Sequence, residues 1–143
     1  MDSAKRVMSG THGHLWLEGE KVGECSAFQA KMAFNKEDVS MDGEMAVDVK
    51  VTSTKGTGSM TLYKVSSRMA QLIGSRIMDG QDVRFTLISE LDDPDAYGAE
   101  RVSIGNVSMD DLTLADWKRA SIGTVECPFT FTRFKFLDEV DAR

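Results

Sequence analysis

The 143-residue chain has the length of one domain, enough to bury roughly two-thirds of its unfolded surface without disulfides or metal. Its 41% hydrophobic and 28% charged residues, with two prolines, exclude disordered and low-complexity classes. A net charge of -6 argues against a surface that grips nucleic acid, which needs clustered Lys and Arg, but not against one that lets nucleic acid slide past.

In chain order, the basic pair Lys5-Arg6 reads as a solvated patch, like Lys118-Arg119 further on. The apolar stretch from His14 to Glu18, a turn at Gly19-Glu20-Lys21 and the return from Val22 predict a hairpin. From Cys25 to Phe34 the composition favours helix, but Phe28, Ala30, Met32 and Phe34 alternate with Gln29, Lys31 and Ala33, so the segment is read as a strand.

Residues 35–44 are polar and acidic and separate two alternating segments, which implies an exposed arm around residues 35–46. In residues 45–52 every odd position is apolar, the pattern of a strand with one buried and one wet face. Residues 59–65 place Met60 and Leu62 on one face, and Lys55-Gly56-Thr57-Gly58 is read as the turn of a hairpin joining these two segments.

One helix is clear. Ser66 or Ser67 caps it, Met69, Leu72, Ile73 and Ile77 form its apolar stripe, and Gly80 ends it. A strand follows over residues 82–90, and a helical turn is conceivable over residues 110–119 around Leu112, Leu114 and Trp117. Two phase changes mark the last third. Val102 and Ile104 share a face that Val107 leaves, and Phe129 and Phe131 share one that Phe134 and Phe136 leave. Each implies a bulge or a strand passing between two sheets, as in small barrels and orthogonal sandwiches.

Chemistry is sparse. His12 and His14 stand i, i+2 and could share a metal on a strand, but no third ligand is near, so a surface or packing role is the better reading. Residues 90–98 hold the densest carboxylates; they lack the spacing of a calcium loop and read as a turn started by Asp93-Pro94. Cys25 and Cys127 read as small hydrophobes with free thiols, a disulfide being the alternative. Gly56 and Gly58 lack the Lys-Ser/Thr of a phosphate loop. No nucleophile stands out, and neither an enzyme nor a cofactor is expected. Without a long apolar run, the chain is expected to be cytosolic and not stably membrane-bound.

Several stretches, in order over nearly the whole chain, carry a resemblance. They are Ser9-Gly10-Thr11-His12-Gly13, Leu15-Trp16-Leu17-Glu18-Gly19-Glu20-Lys21, Asn35-Lys36-Glu37-Asp38-Val39 and Gly56-Thr57-Gly58. Asp92-Asp93-Pro94-Asp95-Ala96-Tyr97-Gly98-Ala99-Glu100-Arg101, Leu112-Thr113-Leu114-Ala115-Asp116-Trp117 and Pro128-Phe129-Thr130-Phe131 complete them. With these the chain resembles the tail tube proteins of contractile phage tails, in the form found in PBSX-like defective prophages and phage-tail-like bacteriocins.

The resemblance implies one mostly β tail-tube domain: a small β-barrel or two packed antiparallel sheets flanked by one α-helix. It also implies hexameric rings stacked as a tube around a channel for DNA passage or membrane puncture, within a virion tail or phage-tail-like particle assembled in the host cytoplasm. Expected partners are further copies, sheath, tape-measure and baseplate proteins, with DNA only passing through. The arm, through Asn35, Lys36, Glu37, Asp38, Val39, Asp42 and Glu44, would reach a neighbouring subunit or ring and become ordered there, and an acidic lumen would repel phosphates. A monomeric small-barrel binding module and a type VI secretion-like tube protein are the alternatives.

Overall fold

A computed structural model of the chain describes residues 2–141. Eight strands and one helix follow two short 3-10 turns: β1 (Gly13–Leu17), β2 (Glu20–Lys21), β3 (Cys25–Ser40), β4 (Val47–Tyr63), α1 (Arg68–Met78), β5 (Phe85–Leu91), β6 (Glu100–Met109), β7 (Thr124–Phe131) and β8 (Arg133–Asp138).

The strands pair antiparallel in the order β2-β1-β5-β6-β7-β4-β3, with β8 also on β6. Two sheets share β6. Its residues Glu100–Gly105 pair with β5 or β8, whereas Ser108 and Met109 pair with β7. Among the described residues no ladder joins the ends of this path, so the fold is two packed sheets and not a closed barrel.

Both phase changes coincide with the crossing between sheets. In β6 the ladder to β5 slips between Ile104 and Val107, and Asn106 adopts a φ of 57°, the extra residue of a bulge. At Thr132 the chain leaves β7, in the sheet with β4, and enters β8, on β6 in the other sheet.

The expected N-terminal hairpin forms, one residue early. Glu18 and Gly19, with φ of 52° and 84°, make its two-residue turn, the positive pair that such a tight hairpin requires. Ser67 takes the N-cap position of α1 without a side-chain cap bond. Met69 and Ile73 are buried, while Ile77, at the end of the stripe, is exposed. Residues 110–119 form no helix; Leu114 and Trp117 are exposed and give an amphipathic turn no surface to pack on.

The expectation of a hairpin turning at Lys55-Gly56-Thr57-Gly58 is overturned. These residues lie inside the 17-residue β4, paired with β3 and β7 at once. Gly56 stands opposite Phe131 and Gly58 opposite Phe129. A Cβ on Gly56 would come within 2.6 Å of the Phe131 carbonyl oxygen, and one on Gly58 within 2.6 Å of the Phe129 ring. The glycines are there so that two phenyl rings can lie on the strand. Phe129 also stacks on Phe28 of β3, centroids 5.9 Å apart.

This face holds one half of the core, with Met60, Leu62, Cys127, Phe129 and Phe131; Leu15, Leu17, Phe85, Leu87, Ile104 and Val107 supply much of the rest. Phe131→Ala should therefore lower stability by about 3–5 kcal/mol, as truncation of a buried aromatic does. Gly58→Ala should cost about 1–3 kcal/mol by overpacking. Denaturant melts of the two variants test both; a loss under about 1 kcal/mol for Phe131→Ala would put that ring outside the core.

Candidate assembly surface

β3 and β4 stay paired far beyond the body. Their ladder runs from Cys25 opposite Leu62 to Ser40 opposite Val47, and residues 33–55 are all exposed. At about 3.4 Å per residue this ribbon projects on the order of 25 Å. Asn35, Lys36, Glu37, Asp38 and Val39 lie within β3, whereas Asp42 and Glu44 lie in the connection 41–46. The polar stretch is thus half strand and half loop. Its β3 part pairs because β4 supplies a partner across from it, which composition does not reveal.

One irregularity decides what the arm presents. The register slips between Asn35, opposite Ser53, and Lys36, opposite Val51, leaving Thr52 as the extra residue. Thr52 Oγ donates to the Asn35 carbonyl at 3.2 Å, and Asn35 Nδ2 donates to Ser53 Oγ at 2.8 Å. Below the bulge the core-side positions of β4 are even (Gly56, Gly58, Met60); above it they are odd. Val51, Val49 and Val47 therefore continue, with Phe34, the face that holds Phe28, Ala30 and Met32 in the body.

The alternation over residues 45–52 predicts one buried and one wet face. In the single chain neither is buried. Val47, Val49 and Val51 are 56%, 47% and 47% exposed, and Met45 is fully exposed.

The two sheets also part along β3. Clefts of about 610 and 330 Å³ open there and share Phe28, Ser89 and Glu100. Met32, Val102, Phe134 and Phe136 line the smaller one, between the outer strands β3 and β8. Phe134 and Phe136 meet edge to face, centroids 6.3 Å apart, yet remain 55% and 41% exposed. A third exposed group, Leu114, Trp117 and Ile122, sits on the loop before β7, with the Arg119 guanidinium over the Trp117 ring.

The polar clusters fasten the fold. Asp93, buried, accepts the backbone N–H groups of Asp95 and Ser9, both at 2.9 Å. These bonds, the one from Asp95 foremost, hold its carboxyl below the usual carboxylate pKa. The acidic run is therefore a turn that clamps the N-terminal segment, and Arg6 adds a bond to the Asp95 carbonyl. Arg68 makes a forked pair with Glu24 at 2.6 and 3.4 Å, tying the start of α1 to the loop before β3 and lowering the Glu24 pKa. His12 lies in a 3-10 turn and His14 on β1, so the two do not share a strand; His14 instead packs near Trp16. Among the described residues no group of three or more His, Cys, Asp or Glu could hold a metal.

Cys25 and Cys127 are free thiols, with pKa values raised by burial. Their strands flank β4, so they stand about two strand spacings, roughly 10 Å, apart. That exceeds disulfide reach.

The comparisons with known proteins fit this geometry. The phage tail tube protein family matches residues 2–138. The chain belongs to that family. It is 35% identical over 133 residues to the phage-like element PBSX protein XkdM of Bacillus subtilis, covering 92% of this chain and 90% of that protein. The uncharacterized protein YqbM of the same organism matches to the same extent. Among solved structures, the fold is similar to a sheath/tube terminator of an extracellular contractile injection system at a TM-score of 0.75 and 10% identity, covering 95% and 100% of the two chains. It is also similar to the tube-terminating cap of the anti-feeding prophage, at 0.74 and 10%, over 97% and 96%. A Bacillus subtilis protein 35% identical to this chain overlays at 0.52, over 92% and 96%. The chain is a structural protein of the phage tail tube type, PBSX-like and related in fold to components of contractile injection systems.

Two outcomes follow for the isolated subunit. Thiol titration of the denatured, unreduced protein should find both cysteines reactive. Because the folded pKa of Asp93 is depressed, its contribution to stability is present above the ordinary value of 3.8 and is lost as pH falls through the lowered folded value. The gap in melting midpoint between wild type and Asp93→Asn should therefore be widest near neutrality and close in acid. A gap independent of pH would assign the loss to packing.

Proposed function

We propose that this chain is the subunit of the inner tail tube of a contractile phage or phage-tail-like particle. Copies close into hexameric rings that stack around a channel for DNA passage or membrane puncture. The observation that carries this reading is the core-side face running off the body onto the arm. Phe34, Val47, Val49 and Val51 alternate as residues do on a half-buried strand, yet the subunit has nothing to bury them. An isolated two-stranded ribbon is marginal in water, so a neighbouring copy completes both the ribbon and the cleft along β3. The free edge of β3 supports the same conclusion, because an open strand edge of this length invites pairing with another chain.

On this reading the chain is a single tail-tube domain with no catalytic role. The arm residues Asn35, Lys36, Glu37, Asp38, Val39, Asp42 and Glu44 meet a neighbouring subunit or ring, the acidic ones finding Lys or Arg there. Sheath, tape-measure and baseplate proteins are the other partners, and assembly takes place in the host cytoplasm. The named structural neighbours, a sheath/tube terminator and a tube-terminating cap, support this setting.

Negative-stain electron microscopy of concentrated protein tests the reading, with rings and tubes expected. Val49→Asp should leave the melting midpoint nearly unchanged, since an exposed substitution alters stability by within about 0.5 kcal/mol, and should abolish tubes. Replacing residues 36–51 with a short Gly-Ser linker should do the same. Normal tubes from either variant would refute the role of the arm.

A further inference from the structure

The face of β3, β4 and β7 turned away from the core has an unusual chemistry. The registers place Thr57 beside Thr130 and Lys31, Ser59 beside Pro128 and Gln29, and Thr61 beside Glu126 and Ala27. Alternation puts these side chains opposite Gly56, Gly58 and Met60, on the wet side. The surface is made of hydroxyls and small residues, with Tyr63 at one end. On the body its charges are Lys31, Lys55 and Glu126, and where β3 and β4 continue onto the arm the same face adds Lys50, Glu37 and Asp48, so positive and negative charges balance in a chain whose net charge is -6. None of the acidic surplus lies here.

The wet face of the other sheet differs. It carries Trp16, Ile88, Arg133 and Lys135, side chains suited to contact with a partner, and Arg101 paired with Glu90 and Asp138.

We propose that the hydroxyl face is the channel wall, and that this wall is nearly neutral where the acidic balance of the chain suggested a repulsive one. The inference rests on the ring-forming reading above and gives it a surface. If copies close a ring through the free edge of β3, the sheet containing β3 becomes the ring wall. The opposite face of that sheet is covered by the second sheet; with the second sheet outside the ring the channel stays open, and the hydroxyl face looks inward. A wall of Ser, Thr and Gln side chains with balanced charges offers a passing nucleic acid neither a cation cluster that holds phosphates nor a surplus of carboxylates that excludes them. Its hydroxyls exchange hydrogen bonds with channel water at little net gain.

Cysteine labelling of assembled tubes tests the placement. In Ser59→Cys on a Cys25→Ser background, a small maleimide and a dextran-linked maleimide too wide for the channel should both label dissociated subunits. In tubes, the small reagent should still label, while labelling by the wide one falls to the level of the tube ends. Equal labelling of tubes by the wide reagent would put this face on the outside, and protection from both would put it in a subunit contact; either overturns the proposal. Thr130→Cys repeats the test should Ser59→Cys fail to assemble. A wild-type chain that forms no rings or tubes refutes the ring-forming reading and this inference with it, an outcome distinct from tubes that label wrongly.

A second measurement tests the neutrality. Uptake of a fluorescent duplex oligonucleotide by wild-type tubes, read by co-sedimentation, should not vary with salt. Ser59→Lys tubes should retain it at low salt and release it as salt rises. Wild-type exclusion at low salt that is relieved at high salt would show an acidic wall, and salt-sensitive wild-type retention a basic one; each overturns the inference.

Discussion

The structure depends on two phenyl rings lying on two glycines. Phe131 and Phe129 of β7 cover Gly56 and Gly58 of β4, and any side chain at those glycines would occupy the space of a ring or a carbonyl. The contact locks the register of β7 on β4. It keeps β4 one continuous strand at the place where glycine content would otherwise favour a turn. Because β4 runs straight through, its far end leaves the body still paired with β3, and the arm is the consequence.

The bulge at Thr52 then determines what the arm displays. Without it the valines of β4 would lie on the same side as Thr57 and Ser59. With it they continue the face of Phe28 and Met32. One extra residue thus carries the core-side face onto the arm, where Val51, Val49 and Val47 stand exposed opposite Lys36, Asp38 and Ser40. The chain is folded with part of its core-side face outside its own core, which is the feature the proposed assembly rests on. The crossings at Asn106 and Thr132 perform a similar service inside the domain, carrying β6 and β7–β8 from one sheet to the other so that the two sheets share strands without closing.

The acidic segments divide by environment. Asp93 has its oxygens taken by backbone N–H groups and serves as a clamp, whereas Glu37, Asp38, Asp42 and Glu44 stand on the exposed arm. The same residue types thus hold the N-terminal segment in one place and stand exposed on the arm in the other.

Much of this was legible in the chain. Alternation gave the strands, the apolar stripe gave α1, and the phase changes at Val107 and Phe134 gave the sheet crossings, because side-chain periodicity is a local property that needs no knowledge of the partner. The family was legible too, from short stretches spread along the chain. What periodicity could not supply was the identity of the surface that buries each apolar face. The stripe at Val47, Val49 and Val51 reads as core from sequence, and only the tertiary arrangement shows that its own chain leaves it uncovered. Glycine carried the other ambiguity. Gly56 and Gly58 permit a turn or a close approach equally well, and the choice was made by Phe129 and Phe131, more than seventy residues away, which no local window contains. Periodicity alone was enough for most of the strands, for α1 and for the alternation of side chains within each strand, because it is local. Which strands meet, and therefore which faces remain open to a neighbour, was decided by long-range pairing.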